Sequence, residues 1–205
     1  MFWDRVSGVY DAFESTFNGR VYDHTGEIVA EYIGNDDTVL ECACGTGAIS
    51  VHIAPVCKKL VATDLSVNML RTAEKKCRRF DNVVFKKADL TALKVRDNSF
   101  DAVVAGNVIH LLDDPYAALD ELVRVCRPYG RIIIPTYINI SNGKDTATTK
   151  FFKAVGVEFK RNFDLFSYKA FFEGAGFDDI CYELADGRVP CAIAIITNHK
   201  QTERN

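Results

Sequence analysis

The chain has 205 residues, 48% hydrophobic and 26% charged, with a formal net charge of −3. That suits one soluble globular domain with a full core and leaves too little chain for two comfortable ones. The acidic balance argues against nucleic-acid binding, which usually shows a basic surplus, and no segment approaches the roughly 18 uninterrupted apolar residues that span a bilayer. The opening residues MFWDRVSGVYD carry charges early and contain no apolar signal core. No signal peptide or integral membrane segment is predicted, and a cytoplasmic location is expected.

Residues 1–33 read as one or two helices leading into the core. From 38 to 137 strand and helix alternate. TVLEC is a short apolar run ending in a glycine turn, and GAISVHIAPVC follows as a helix closed near Pro55. KLVATD is a second buried strand. Ser66 then caps a helix predicted to bury Val67, Leu70 and Cys77 and to expose Arg71, Lys75 and Arg78. NVVFKKADL and FDAVVAGN give strands three and four. Asp114-Pro115 starts a helix whose Leu119, Leu122, Val123 and Cys126 share a face. RPYGR turns into a fifth strand, RIIIPTY, with Pro135 expected near its end. Solidly apolar strands separated by amphipathic helices predict an α/β, doubly wound, mostly parallel sheet with helices on both faces.

Beyond 137 the pattern changes. NISNGKDTATTK is polar, and phenylalanines 151, 152, 159, 163 and 166 crowd the next stretch, serving either core packing or an apolar substrate wall. SYKAFFEGAGF reads as a helix closed at Gly174 or Gly176, and DDICYEL and CAIAIIT as a hairpin across ADGRVP. Seven cysteines, with no CxxC pair and mostly in apolar runs, are expected to be reduced, buried and without a metal role. The basic run RTAEKKCRR reads as a solvated helix face.

Acidic residues close three successive strands: Glu41, Asp64 and Asp89. In an open parallel sheet the ligand crevice lies outside those carboxyl ends, so all three could face one molecule. Gly45 and Gly47 permit a tight turn and close backbone approach, and the helix that follows would offer free N–H groups to an anionic ligand group. A carboxylate after the second strand suits ribose hydroxyls. GTGAIS also approximates the dinucleotide fingerprint, so an NAD-dependent oxidoreductase competes on pattern alone.

Taken in order, VLECACGTG, VATDLSVNML, KKADLTAL, FDAVVAGNVIHLLDDP and ELVRVCRPYGRIIIPTY resemble the class I S-adenosylmethionine-dependent methyltransferases, especially the ubiquinone/menaquinone-biosynthesis group. The resemblance covers roughly residues 38–137, and EGAGF with the last two strands extends it to near 198. It implies a single Rossmann-like domain over 1–205, with a seven-stranded sheet whose last strand is antiparallel. Residues 1–33 would form a helical lid, and 138–166 an insertion covering the substrate site. It also implies roles. Glu41 and the turn Ala43, Cys44, Gly45, Thr46 and Gly47 would face the methionine part of S-adenosylmethionine. Asp64 would hold the ribose, and Leu65 and Met69 the adenine side. Asp89 would accept from the adenine amino group, flanked by Ala88 and Leu90. Gly106 and Asn107 would offer backbone carbonyls to the methionine end. Ala43 and Cys44 depart from the glycines usual there, although Ala43 also occurs in the quinone-biosynthesis group, and Cys44 is expected to narrow the pocket.

His110 suits either a general base or a structural hydrogen-bonding role, and Tyr137 could assist deprotonation. Tyr10, followed by Asp11, resembles the Tyr-Asp of small-molecule members whose N-terminal helix lids the site, with helix packing as the alternative. The expected function is methyl transfer to a small-molecule acceptor, tilted by the aromatic insertion and Ala43 toward an apolar one. No catalytic Tyr/Lys or Cys/His set for the oxidoreductase is visible. A non-catalytic S-adenosylmethionine-binding protein fits the same residues.

Overall fold

A computed structural model of the protein describes residues 19–139, 159–187 and 189–199. Tyr10, most of the 1–33 lid and most of the 138–166 insertion, with Phe151 and Phe152, lie outside the described residues. Seven strands form one sheet: β1 (Thr38–Cys42), β2 (Lys59–Asp64), β3 (Val83–Lys87), β4 (Phe100–Ala105), β5 (Cys126–Tyr137), β6 (Ile180–Ala185) and β7 (Cys191–Thr197). Their spatial order is β3-β2-β1-β4-β5-β7-β6. All neighbours pair in parallel except β7, which runs antiparallel to both β5 and β6.

Alternation along each strand divides the core. Leu40, Val103, Ile132, Ile134 and Ala194 join one apolar cluster with α4 (Pro115–Val125) and α5 (Leu165–Gly174). Val39, Val104, Ile133 and Ile193 join the other, with α1 (Gly19–Glu31), α2 (Ser50–Ile53) and α3 (Val67–Cys77). Period-two strands between two helical layers make the sheet doubly wound. Among the described residues, no helix is long and apolar enough to cross a membrane.

Local chemistry sets the boundaries. Ser66 Oγ accepts from Met69 N at 3.2 Å to start α3, and Asp114 Oδ1 accepts from Tyr116 N and Ala117 N ahead of Pro115. The helix expected after the glycine turn shrinks to Ser50–Ile53, and its C-terminal end falls there because Pro55 has no N–H to donate to Val51. Val67 is 42% exposed rather than buried. The buried face is instead Met69, Leu70, Ala73 and Cys77.

Strand β5 starts earlier than expected, at Cys126, and the RPYG turn forms an excursion between the pairs Phe100–Cys126 and Ala102–Arg131. Pro135 is tolerated because β4 pairing ends at Ile133. Its carbonyl then accepts Asn107 N instead of a ladder donor. Tyr168 fastens α5 to the sheet: its buried hydroxyl donates to Ile134 O and accepts from Ala194 N. All seven cysteines are free thiols, and only Cys181 is exposed; burial pushes the Cys42 and Cys191 thiols up to about 12.

Candidate active site

The strand order reverses between β1 and β4, and a cleft of about 170 Å³ opens there along the carboxyl edge of the sheet. Such a switch point leaves room between loops that diverge to opposite faces. Three adjacent loops, after β1, β2 and β3, build one side. Ala43 and Gly45 border the cleft from the first, Asp64, Leu65 and Met69 from the second, and Ala88, Asp89 and Leu90 from the third. Gly106 and Asn107, just past β4, complete the set. Ten of the fourteen residues expected at the cofactor thus meet at one opening.

The two cleft carboxylates are held from behind. Asp64 accepts from Gly45 N (2.9 Å) through one oxygen and from Ser66 N (2.8 Å) through the other. Asp89 Oδ1 accepts from both the N–H and the hydroxyl of Thr91, at 2.9 and 2.8 Å. A carboxylate offers acceptor sites only, and both of these border the cleft, where a ligand's hydroxyl or amino donors would meet them. Ala88 N donates to Asp64 O, tying the second and third loops together.

The glycine turn needs left-handed backbone at three places: Ala43 (φ 52), Gly45 (φ 54) and Gly47 (φ 82). A Cβ on Gly47 would lie 3.0 Å from Ala73, so this residue also lets α3 close against the turn. Asn107 is left-handed too (φ 51). Its Oδ1 accepts from Tyr137 N and its own N–H donates to Pro135 O, which fixes Asn107 and hence the loop carrying Gly106.

The other four expected residues lie behind the lining. Glu41 is only 2% exposed. Ser50 Oγ donates to its carboxylate at 2.5 Å, and burial, aided by the charge of Asp64, pushes its carboxyl up to about 8. Thr46 is buried and accepts from Lys76 Nζ at 3.0 Å. Cys44 packs among core residues including Ile49 and Ala73, with its thiol raised by burial. Cys44 therefore does not narrow the cleft: the turn sends its side chain into the core, and Ala43 is the substituted residue that borders the opening.

His110 sits on a short 3-10 turn (Ile109–Leu111) and is 5% exposed. Burial lowers its imidazole to about 4, so it is neutral near pH 7. Its ring stacks on Phe159 with centroids 5.3 Å apart, Nδ1 is buried without a hydrogen-bond partner, and the residue does not border the cleft. Tyr137 packs edge-on against Tyr22.

Three lining residues, Val108, Leu111 and Leu112, were not among those singled out in the sequence. The signal was present, since NVIHLL continues apolar past the end of β4, where a solvated loop would be polar. Among the described residues, no lysine or arginine borders this cleft. No cluster of three or more metal-ligating side chains occurs among the described residues.

A seven-stranded sheet with only β7 reversed, and two strand-end carboxylates beside a glycine turn, is the class I methyltransferase architecture. Residues 40–134 match the family model described as a methyltransferase domain. A demethylmenaquinone methyltransferase from Clavibacter sepedonicus is 33% identical over 146 residues, covering 63% of this chain and 57% of that protein. A ubiquinone/menaquinone biosynthesis C-methyltransferase from Bdellovibrio bacteriovorus is 31% identical over 141 residues, covering 64% and 58%. The chain thus spans less than two thirds of these relatives' length. The crystal structure of an S-adenosylmethionine-dependent methyltransferase from Thermotoga maritima superposes with a TM-score of 0.72 at 17% identity, covering 96% of this chain and 98% of that one. It carries the same fold.

Proposed function

We propose that the protein is an S-adenosylmethionine-dependent methyltransferase acting on a small, neutral and largely apolar acceptor. One observation carries the reading: Asp64 and Asp89, on neighbouring loops, are both pre-oriented by backbone donors and both border one cleft beside the glycine turn. That pair of acceptors fits a molecule with ribose hydroxyls, an amino-bearing base and net positive charge. Asp64 would hold the ribose and Asp89 the adenine amino group, with Leu65, Met69, Ala88 and Leu90 packing the base. The turn at Ala43 and Gly45, with Gly106 and Asn107, would receive the methionine end. Glu41, Cys44, Thr46 and Gly47 support it from beneath.

S-adenosylmethionine supplies the activated methyl group and its own leaving group. The protein's task is then to place the acceptor atom about 3 Å away, in line, and exclude water. A dedicated base is optional. The buried, neutral His110, stacked on Phe159 and off the cleft, favours a positioning role over proton transfer. Tyr10 is proposed to contribute from the N-terminal segment. The acceptor class is supported by the apolar wall of Val108, Leu111 and Leu112, by a lining without cations among the described residues, and by a relative named for ubiquinone/menaquinone biosynthesis.

Calorimetric titration with S-adenosylmethionine, S-adenosylhomocysteine and NADH tests the site. The first two should bind, NADH should not, and Asp64→Ala should abolish binding; retention would place the ribose site elsewhere. A methyl-transfer screen over quinols, phenols, thiols and amines then tests catalysis, and binding without turnover throughout would make this a non-catalytic binding protein.

A further inference from the structure

The apolar wall of the cleft is held by a segment distant in sequence. Leu111 and Leu112 follow β4 and border the cleft, and within their turn Leu111 N donates to Val108 O. Residues 159–161 clasp it from outside. Lys160 N and Arg161 N both donate to His110 O, at 3.0 and 3.2 Å, and Phe159 stacks on the His110 ring. The partly buried Arg161 guanidinium donates to Leu112 O at 2.8 Å and to Asp113 O at 3.4 Å. A further link, Lys160 Nζ to Asp113 Oδ1, is an exposed pair that contributes little.

We infer that Arg161 is a positioning residue for the cofactor cleft: its fork on two successive main-chain carbonyls fixes the Leu111–Leu112 wall. A planar guanidinium suits this because its N–H groups diverge at fixed angles and can bond two carbonyls together, which an ammonium cannot do with the same rigidity. The backbone carbonyl of Leu112 is held by Arg161 while its side chain borders the cleft. Leu112 thus belongs to the clasp through its carbonyl and to the cleft through its side chain. The inference rests on the proposed S-adenosylmethionine site.

The test is calorimetric titration of the full chain with S-adenosylmethionine and, separately, S-adenosylhomocysteine. Wild type is compared with Arg161→Gln, Arg161→Lys and Asp64→Ala, with melting temperatures measured without ligand. Arg161→Gln should weaken both ligands by about tenfold, the size of one charge-assisted hydrogen bond, and Arg161→Lys should recover about half of that in logarithmic terms. A lowered melting temperature with affinity within twofold of wild type would make Arg161 merely structural and overturn the inference. Should Arg161→Gln fail to fold, Arg161→Lys decides: an affinity indistinguishable from wild type overturns it, and a loss of threefold or more sustains it. Retained affinity in Asp64→Ala marks failure of the site reading itself, whatever Arg161 does.

Discussion

Replacing Glu41 by Gln keeps an acceptor for the Ser50 hydroxyl while removing a carboxyl that titrates in the folded core. Burial raises that carboxyl from an ordinary 4.5 to about 8, so the folded protein binds more protons than the unfolded chain between those values. Stability from this group is complete below about pH 4.5 and is lost as pH rises to 8, over a span of roughly 4–5 kcal/mol. His110 works in the opposite sense. Its folded value falls from 6.5 to about 4, so its contribution is complete above 6.5 and is lost, by roughly 3 kcal/mol, as pH falls to 4. Between pH 4.5 and 6.5 the two slopes oppose each other, and the wild type should be flat there. Above 6.5 only Glu41 titrates, and wild-type stability should fall by about 2 kcal/mol by pH 8. Urea unfolding of both proteins at pH 5, 6, 7 and 8 reads this directly. Glu41→Gln should abolish the alkaline fall and uncover a decline below 6.5. Parallel profiles for the two proteins would refute the placement of Glu41 as a protonated acid.

Ala43 holds a left-handed backbone with a Cβ, so Ala43→Gly should raise the unfolding free energy by about 0.5–1 kcal/mol; urea midpoints check this, and a loss would count against the strain. Because that Cβ borders the cleft, the same variant should not weaken S-adenosylmethionine binding. Tyr168→Phe removes the hydroxyl that joins α5 to Ile134 O and Ala194 N, and should cost about 1–3 kcal/mol of stability with cofactor affinity of the folded protein unchanged.

The elements that were legible in the sequence are those governed by neighbours in the chain. Ser66 and Asp114 announce their helices because a capping side chain reaches only two or three residues on. Strands β1, β2 and β4 announce themselves because most of their residues are buried and their centres are apolar. The acids at 64 and 89 could be placed together because strand ends in a parallel sheet share one edge. What local pattern could not supply was the direction of individual side chains. Cys44 turns into the core and Ala43 toward the cleft because of left-handed φ at 43 and 45, a backbone property that the cysteine itself does not encode. Val67 fits the helical period, yet it stands exposed while Met69 and Leu70 of the same turn are buried, because the period fixes which residues share a face and not which face meets the core.

The same distinction separates the two sides of the cleft. Its polar side comes from loops after β1, β2 and β3, cross-linked over short distances by Gly45 N to Asp64 and Ala88 N to Asp64 O. Each link joins loops whose strands are adjacent, so the sheet alone aligns them. The apolar side has no such frame. Leu111 and Leu112 stand beyond the last β4 pairing, and the bonds that tie them down from outside come from residues 159–161, almost fifty positions later. A wall held that way responds to changes outside the sheet, whereas Asp64 and Asp89 do not. Substitutions at Arg161 should therefore alter affinity through the apolar wall and leave the carboxylate geometry intact. Substitutions at Gly45, whose φ of 54 disfavours any side chain, should disturb Asp64 first because they displace the N–H that orients it.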